Sequence, residues 1–139
     1  MLSQRSRYAL RAMLFLARAP HSPMRSPEIA TATKVSPKFL ENILIELRKA
    51  GILISNRGRR GGYILARPAS QISFADIVRV TDGSLALAPC ANEIASGKCE
   101  DCPGEDHCQI RQALVSVREK TDQVLTAYDL TAVSARMHG

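Results

Sequence analysis

Residues 26–65 read SPEIATATKVSPKFLENILIELRKAGILISNRGRRGGYIL, and this stretch decides the fold. It contains two helix starts of one kind, Ser26-Pro27 and Ser36-Pro37. Each places Ser at an N-cap and Pro at the first helical position, where a missing N–H does no harm. The first start opens a short helix to about Thr33. The second opens a longer helix to Ala50, with Leu40, Ile43, Leu44 and Leu47 as its buried stripe and Gly51 at the left-handed C-cap. Two helices so closely linked read as a helix–turn–helix. After Gly51 the period changes. Ile52-Leu53-Ile54-Ser55 and Tyr63-Ile64-Leu65-Ala66 are short β-prone runs joined by Asn56-Arg57-Gly58-Arg59-Arg60-Gly61-Gly62. That pattern predicts a hairpin with an arginine- and glycine-rich tip, the wing of a winged helix.

Working outward, a first helix is predicted from about Gln4 to Ala19, capped by Ser3 and ended by Pro20 and Pro23. Beyond the wing, Ser73 caps a fourth helix over Phe74–Thr81, which stops at Asp82-Gly83. Residues 84–107 show no helical period. From about Cys108 a long helix begins, on which Ile110, Leu114, Val117, Thr121, Val124 and Tyr128 fall at alternating four- and three-residue steps. So regular a seam on a terminal helix needs a partner, and a second copy of the chain is favoured. The expected fold is mainly α with a small β-hairpin. It comprises a winged helix–turn–helix domain (1–83), a cysteine-containing loop (84–107), and a dimerisation helix with its tail (108–139).

Composition narrows the function. With 45% hydrophobic residues, 4% aromatics and no Trp among 139 residues, the core is aliphatic, which favours helices. Net charge is +6, but its distribution says more. Residues 1–70 carry 13 Lys and Arg against 3 Asp and Glu, while residues 71–139 carry 6 against 10. Such asymmetry marks a nucleic-acid partner for the first half. The apolar stretch Tyr8–Ala19 is interrupted by Arg11 and Arg18 and is too short to span a bilayer. No membrane role and a cytoplasmic location are therefore expected, and in that compartment clustered cysteines serve as metal ligands or redox thiols. No nucleophile–base pair, phosphate loop or paired carboxylate stands out, so an enzyme is not expected. An iron–sulfur carrier would account for the cysteines but not for the helix–turn–helix or the basic wing.

The candidate DNA contacts follow from geometry. The buried stripe of the second helix leaves Ser36, Lys38, Glu41 and Asn42 facing outward. Asn42 can pair with adenine, Glu41 can accept from a cytosine amino group, and Lys38 can reach guanine or phosphate. In the wing, Arg57, Arg59 and Arg60 supply charge, and Gly61 and Gly62 let the backbone approach a phosphate or a narrow minor groove.

The segments RYALRAMLFLA (7–17), SPKFLENILIELRKAGIL (36–53) and RGRRGGYIL (57–65), followed by an acidic and cysteine-bearing loop, resemble the Rrf-type winged-helix regulators. That family includes the iron–sulfur and redox-sensing regulators of the IscR, NsrR and RirA kinds. The resemblance implies a homodimer with crossing C-terminal helices, whose affinity for a double-stranded DNA operator is governed by an iron–sulfur cluster. It also implies that Glu41, Asn42 and Arg57 contact operator bases or their grooves.

The cysteines read Cys90-x8-Cys99-x2-Cys102-x5-Cys108, in a loop that runs to a helix N-terminus able to favour anionic thiolates. Iron–sulfur binding ranks first for such a set, a cluster-free thiol or disulfide sensor second, and structural zinc third. The resemblance matches Cys90, Cys102 and Cys108 to three recurring cluster ligands, of a [2Fe–2S] or [4Fe–4S] centre. The positions where branches of the family supply a fourth ligand hold Arg111 and Arg7 here, which cannot ligate. Cys99 is then the expected fourth ligand, with His107 as the alternative.

Overall fold

A computed structural model describes residues 2–94, 97–104 and 108–132. The elements run α1 (Gln4–Ala17), α2 (Ser26–Thr33), α3 (Pro37–Lys49), β1 (Leu53–Asn56), β2 (Gly62–Leu65), α4 (Phe74–Thr81) and α5 (Arg111–Ala127), with short 3-10 turns at Ala69–Gln71 and Pro89–Ala91. This is the expected mainly helical winged helix–turn–helix with a two-stranded hairpin and a long C-terminal helix. No described helix is long and apolar enough to cross a membrane.

Ser3 caps α1, its hydroxyl accepting from the Ser6 amide at 3.0 Å. The helix stops at Ala17 rather than Ala19, because Arg18 and Ala19 already turn back onto the Phe15 and Leu16 carbonyls. The buried face of α1 (Ala9, Ala12, Met13, Leu16) packs against α2, α3, α4 and β2. Helix α2 is capped one residue earlier than expected, at Arg25 and not Ser26. The carboxylate of Glu28 reaches back to accept from the Arg25 amide at 3.1 Å, which draws Ser26 into the helix. The turn to α3 passes through Lys34 in the left-handed region (φ 58°). On α3 the buried residues are Leu40, Ile43, Leu44 and Leu47, as the helical period predicts, and Gly51 (φ 79°) follows the helix.

The hairpin pairs antiparallel, Leu53 with Leu65 and Asn56 with Gly62. Each strand lies within one residue of its expected bounds. Helix α4 has a reciprocal cap, with the Asp76 amide donating to Ser73 Oγ (3.1 Å) and the Ser73 amide to Asp76 Oδ2 (3.0 Å). Its C-terminal Asp82 accepts from the Ser3 amide (3.0 Å) and the Ser3 hydroxyl, which joins the end of α4 to the start of α1.

Helix α5 begins at Arg111, not at Cys108. Residues 109–110 form a turn, and Ile110 is the cap residue without a side-chain bond. At the far end the chain returns to α4. The Phe74 amide donates to the Tyr128 carbonyl (2.8 Å), the Leu130 amide donates to that of Ile72 (3.1 Å), and Leu130 is fully buried. The heptad seam divides between two environments. Leu114, Thr121 and Tyr128 are half-buried on a helix that packs against α4 and the Pro89–Ala91 turn. Ile110, Val117 and Val124, at seven-residue spacing, are 65%, 45% and 56% exposed.

Burial of Asp82 resists its ionisation. Hydrogen bonds from the side chain and backbone of Ser3 and the side chain of Ser6, with Arg5 nearby, outweigh that and hold its carboxyl below the ordinary value of 3.8. A group ionised more readily folded than unfolded stabilises the fold above the unfolded pKa, and that contribution fades as pH falls through the folded pKa. Asp82→Asn is expected to lower the melting temperature at pH 7, with the gap to the parent chain narrowing as the pH is taken to about 2. Thermal melts across that range check it.

Candidate functional site

The first candidate surface is formed by α3 and the wing. Ser36, Lys38, Glu41 and Asn42 are all exposed, as the stripe on the opposite face of α3 requires. Ser36 occupies the N-cap position without a side-chain cap bond. Asn42 stands at the edge of a cleft of about 410 Å³ between α1 and α3, lined also by Arg5, Phe39 and Lys49. Glu46, on the same cleft, is paired with Arg5, so the acid lining the cleft is neutralised from within the chain. Phe39 makes an edge-to-face contact with Tyr8 (centroids 5.8 Å apart), bracing α3 against α1.

In the wing, Arg57, Arg59 and Arg60 are exposed. Gly61 and Gly62 serve a packing need rather than exposure. A Cβ on Gly62 (φ 146°) would lie 2.6 Å from the Met24 backbone, and one on Gly61 would lie 2.4 Å from the Asn56 carbonyl oxygen. The glycine at 62 lets Met24 pair with Tyr63 in both directions, at 3.1 and 2.7 Å, as a single antiparallel bridge on the edge of the hairpin. Sequence reading missed the next residue altogether. Arg25 donates from Nη2 to the carbonyls of Gly58 (3.1 Å) and Arg59 (3.0 Å) at the wing tip. Such a long-range bond to backbone leaves no periodic trace.

The second candidate region is the cysteine loop. Cys90, Cys99, Cys102 and Cys108 are free, partly buried thiols. All four line one pocket of about 90 Å³ with Asp101, Pro103, Ile110 and Arg111. Cys90 sits in the Pro89–Ala91 turn, and the Cys102 amide donates to the Cys99 carbonyl (3.1 Å). Burial first, then the hydrogen bond with the Cys90 thiol and the neighbouring sulfurs of Cys90 and Cys102, push the Cys99 thiol up. His107 lies outside the described residues.

Four sulfur donors on one wall match the chemistry of an iron–sulfur or zinc ligand set. Among the described residues, no three His, Cys, Asp or Glu side chains are drawn into a closed metal cage. The loop thus gathers sulfur donors around one pocket without closing them on a common centre. Arg111 faces this pocket from the first turn of α5, and its buried Nε has no hydrogen-bond partner among the described residues. Further along α5, Arg118 pairs with Glu93 (3.6 Å), which accepts from the Ser84 hydroxyl (2.6 Å). The Ser84 hydrogen bond, against a smaller opposing effect of burial, and then Arg118 and Arg79 hold the Glu93 carboxyl below its usual range. These contacts tie the loop to α5.

Comparison with known proteins bears on both regions. The sequence profile of the Rrf2 family, described as iron-dependent transcriptional regulator, matches residues 2–136. The chain is 40% identical over 121 residues to an rrf2-like HTH-type transcriptional regulator of Rhodobacter capsulatus, covering 84% of this chain and 81% of that protein. It is 35% identical over 130 residues to the HTH-type transcriptional regulator NsrR of Geobacillus kaustophilus, covering 93% and 86%. Among solved structures it resembles IscR of T. potens (TM-score 0.79, 29% identity, 99% of this chain and 88% of that one). It also resembles CymR, the global cysteine regulator of B. subtilis (TM-score 0.79, 28% identity, 98% and 97%).

Gly62→Ala is expected to destabilise the hairpin by about 1–3 kcal/mol, since the added methyl displaces Met24 and breaks its two bonds to Tyr63. Chemical denaturation checks it, and Ser55→Ala, facing Tyr63 from β1, serves as the control with little change.

Proposed function

The chain belongs to the Rrf2 family of transcriptional regulators, and from that premise we propose that it is a homodimeric regulator whose operator affinity is set by an iron–sulfur cluster in the thiol pocket. It is a DNA-binding regulator and not an enzyme. The observation that carries the cluster reading is the gathering of Cys90, Cys99, Cys102 and Cys108 on one pocket at the head of α5. In this reading Cys90, Cys102 and Cys108 hold the group, a [2Fe–2S] or [4Fe–4S] centre. Cys99 is the fourth ligand, ahead of His107. When bound, the group supplies a covalent tie among the thiolates and a net negative charge that changes with redox state.

The protein's own residues carry the rest. Ser36, Lys38, Glu41 and Asn42 read base edges in a major groove, while Arg57, Arg59 and Arg60 follow the adjacent backbone or minor groove, with Gly61 and Gly62 shaping the wing. The working parts divide as a reading head (1–83), a sensor loop (84–107) and a dimerisation segment (108–139). Along the seam Ile110, Leu114, Val117, Thr121, Val124 and Tyr128, the exposed members Ile110, Val117 and Val124 meet the second copy. Leu114, Thr121 and Tyr128 also brace α5 within its own chain. The Glu93–Arg118 pair transmits the state of the loop to α5, and the Phe74–Tyr128 and Ile72–Leu130 bonds pass it to α4 and the head. A change of about 1 kcal/mol in the spacing of the two heads alters operator occupancy several-fold. A cytoplasmic location, with no membrane partner, accords with this role.

A second reading is favoured by the free Cys90 and Cys99 thiols sharing one pocket. The two thiols can give two protons and two electrons to a peroxide, which leaves as water, and so close a regulatory disulfide.

Purification without oxygen decides between the readings. The expected result is coloured protein with iron and acid-labile sulfide, both lost in Cys90→Ser, Cys102→Ser and Cys108→Ser. Colourless protein free of iron and sulfide, with a Cys90–Cys99 disulfide after peroxide, overturns the cluster reading in favour of the thiol one.

A further inference from the structure

We infer that Arg25 is a positioning residue for DNA reading, clamping the wing tip to the start of α2 and so setting where the wing stands relative to α3. The inference rests on the DNA-reading role given to the wing above. Both hydrogens of a single guanidinium nitrogen, Nη2, meet successive carbonyls at the hairpin apex, Gly58 at 3.1 Å and Arg59 at 3.0 Å. The preceding residue, Met24, exchanges two backbone bonds with Tyr63, the second residue of β2 after the turn. Two consecutive residues therefore hold the hairpin at the turn end of β2 and at its apex. Arg25 is itself held, because its amide donates to the Glu28 carboxylate in the first turn of α2. Since α2 packs on α3, the wing, α2 and α3 form one connected unit.

Two physical considerations make this hold matter. An isolated two-stranded hairpin is marginal in water, so the tip needs an external tie to keep one orientation. The apex carbonyls also carry partial negative charge where a phosphate backbone would pass. Arg25 covers two of them, leaving the exposed side chains of Arg57, Arg59 and Arg60 free to face DNA. A lysine is a poor substitute, because its ammonium lacks the planar, fixed pair of N–H groups that spans two carbonyls.

The test uses the full chain with Arg25→Gln and Arg25→Lys. Amide hydrogen exchange in the free protein is read first. Amides of residues 57–63 are expected to exchange about tenfold faster in both variants, while those of α3 are unchanged. Operator binding and hydroxyl-radical footprinting follow at several salt concentrations. The expected outcome is about tenfold weaker binding, loss of the wing's protection with that of α3 retained, an unchanged salt slope, and no rescue by lysine. Unchanged exchange in the wing overturns the proposal. So does faster exchange in wing and α3 alike, which marks a general stabiliser. A salt slope reduced by about one per protomer, with the wing's exchange unaltered, marks a phosphate ligand instead. If the parent chain binds no duplex above background, the DNA-reading role fails while the exchange result still decides the clamp.

Discussion

The fully buried face of α1, formed by Ala9, Ala12, Met13 and Leu16, packs at once against α2, α3, α4 and β2, and the helix–turn–helix and wing take their places from that contact. Two alanines on this face let neighbouring backbones come close, while Met13 and Leu16 fill the space between. The outward face of α3 is consequently fixed, since Leu40, Ile43, Leu44 and Leu47 must be turned inward to complete the same core. The hairpin joins through Leu53 and Leu65, and the end of α5 through Leu130. Polar ties at the margins of the core, Ser3 with Asp82 and Ser6 with Thr81, close α4 onto α1.

Much of this was legible in the sequence because burial imposes a period. The α3 stripe, the α4 cap at Ser73 and the exposed Ser36, Lys38, Glu41 and Asn42 all follow from helical spacing. The seam of α5 was legible only in part. Periodicity records that a residue seeks cover, not which surface provides it. Leu114 and Thr121 are partly covered within the chain, whereas Ile110, Val117 and Val124 stay open. Helix starts erred for local reasons. Glu28 reached back past Ser26 to Arg25, and no side-chain cap started α5 at Cys108. The Arg25 bonds to the wing and the Glu93–Arg118 link escaped notice because single long-range polar contacts have no sequence signature. Likewise, the cysteine spacing identified a donor set, but the shared pocket of the four thiols and the approach of Arg111 depend on how the loop folds back on α5.

The two regions are also electrostatically distinct, as the proposed joining of a sensor to a reader requires. Arginines dominate the wing and the α2 start, whereas the thiol pocket has Asp101 on its wall and Glu93 anchoring its loop. In the proposed function, a change of charge at the thiols is therefore felt first by Arg111, which lines their pocket, and not by the side chains assigned to DNA. Within that proposal, communication is mechanical, through α5 and its bonds to the start of α4. In the proposed function this makes the relative placement of two reading heads the regulated quantity, rather than the chemistry of either surface.

The measurement that tests this most directly compares operator affinity of one anaerobic preparation before and after iron is removed by a chelator, at fixed salt. The account predicts a change of several-fold or more, together with retention of the helical circular-dichroism signal. Identical affinity of the loaded and stripped protein, with iron and sulfide shown to have been present and then lost, would contradict it.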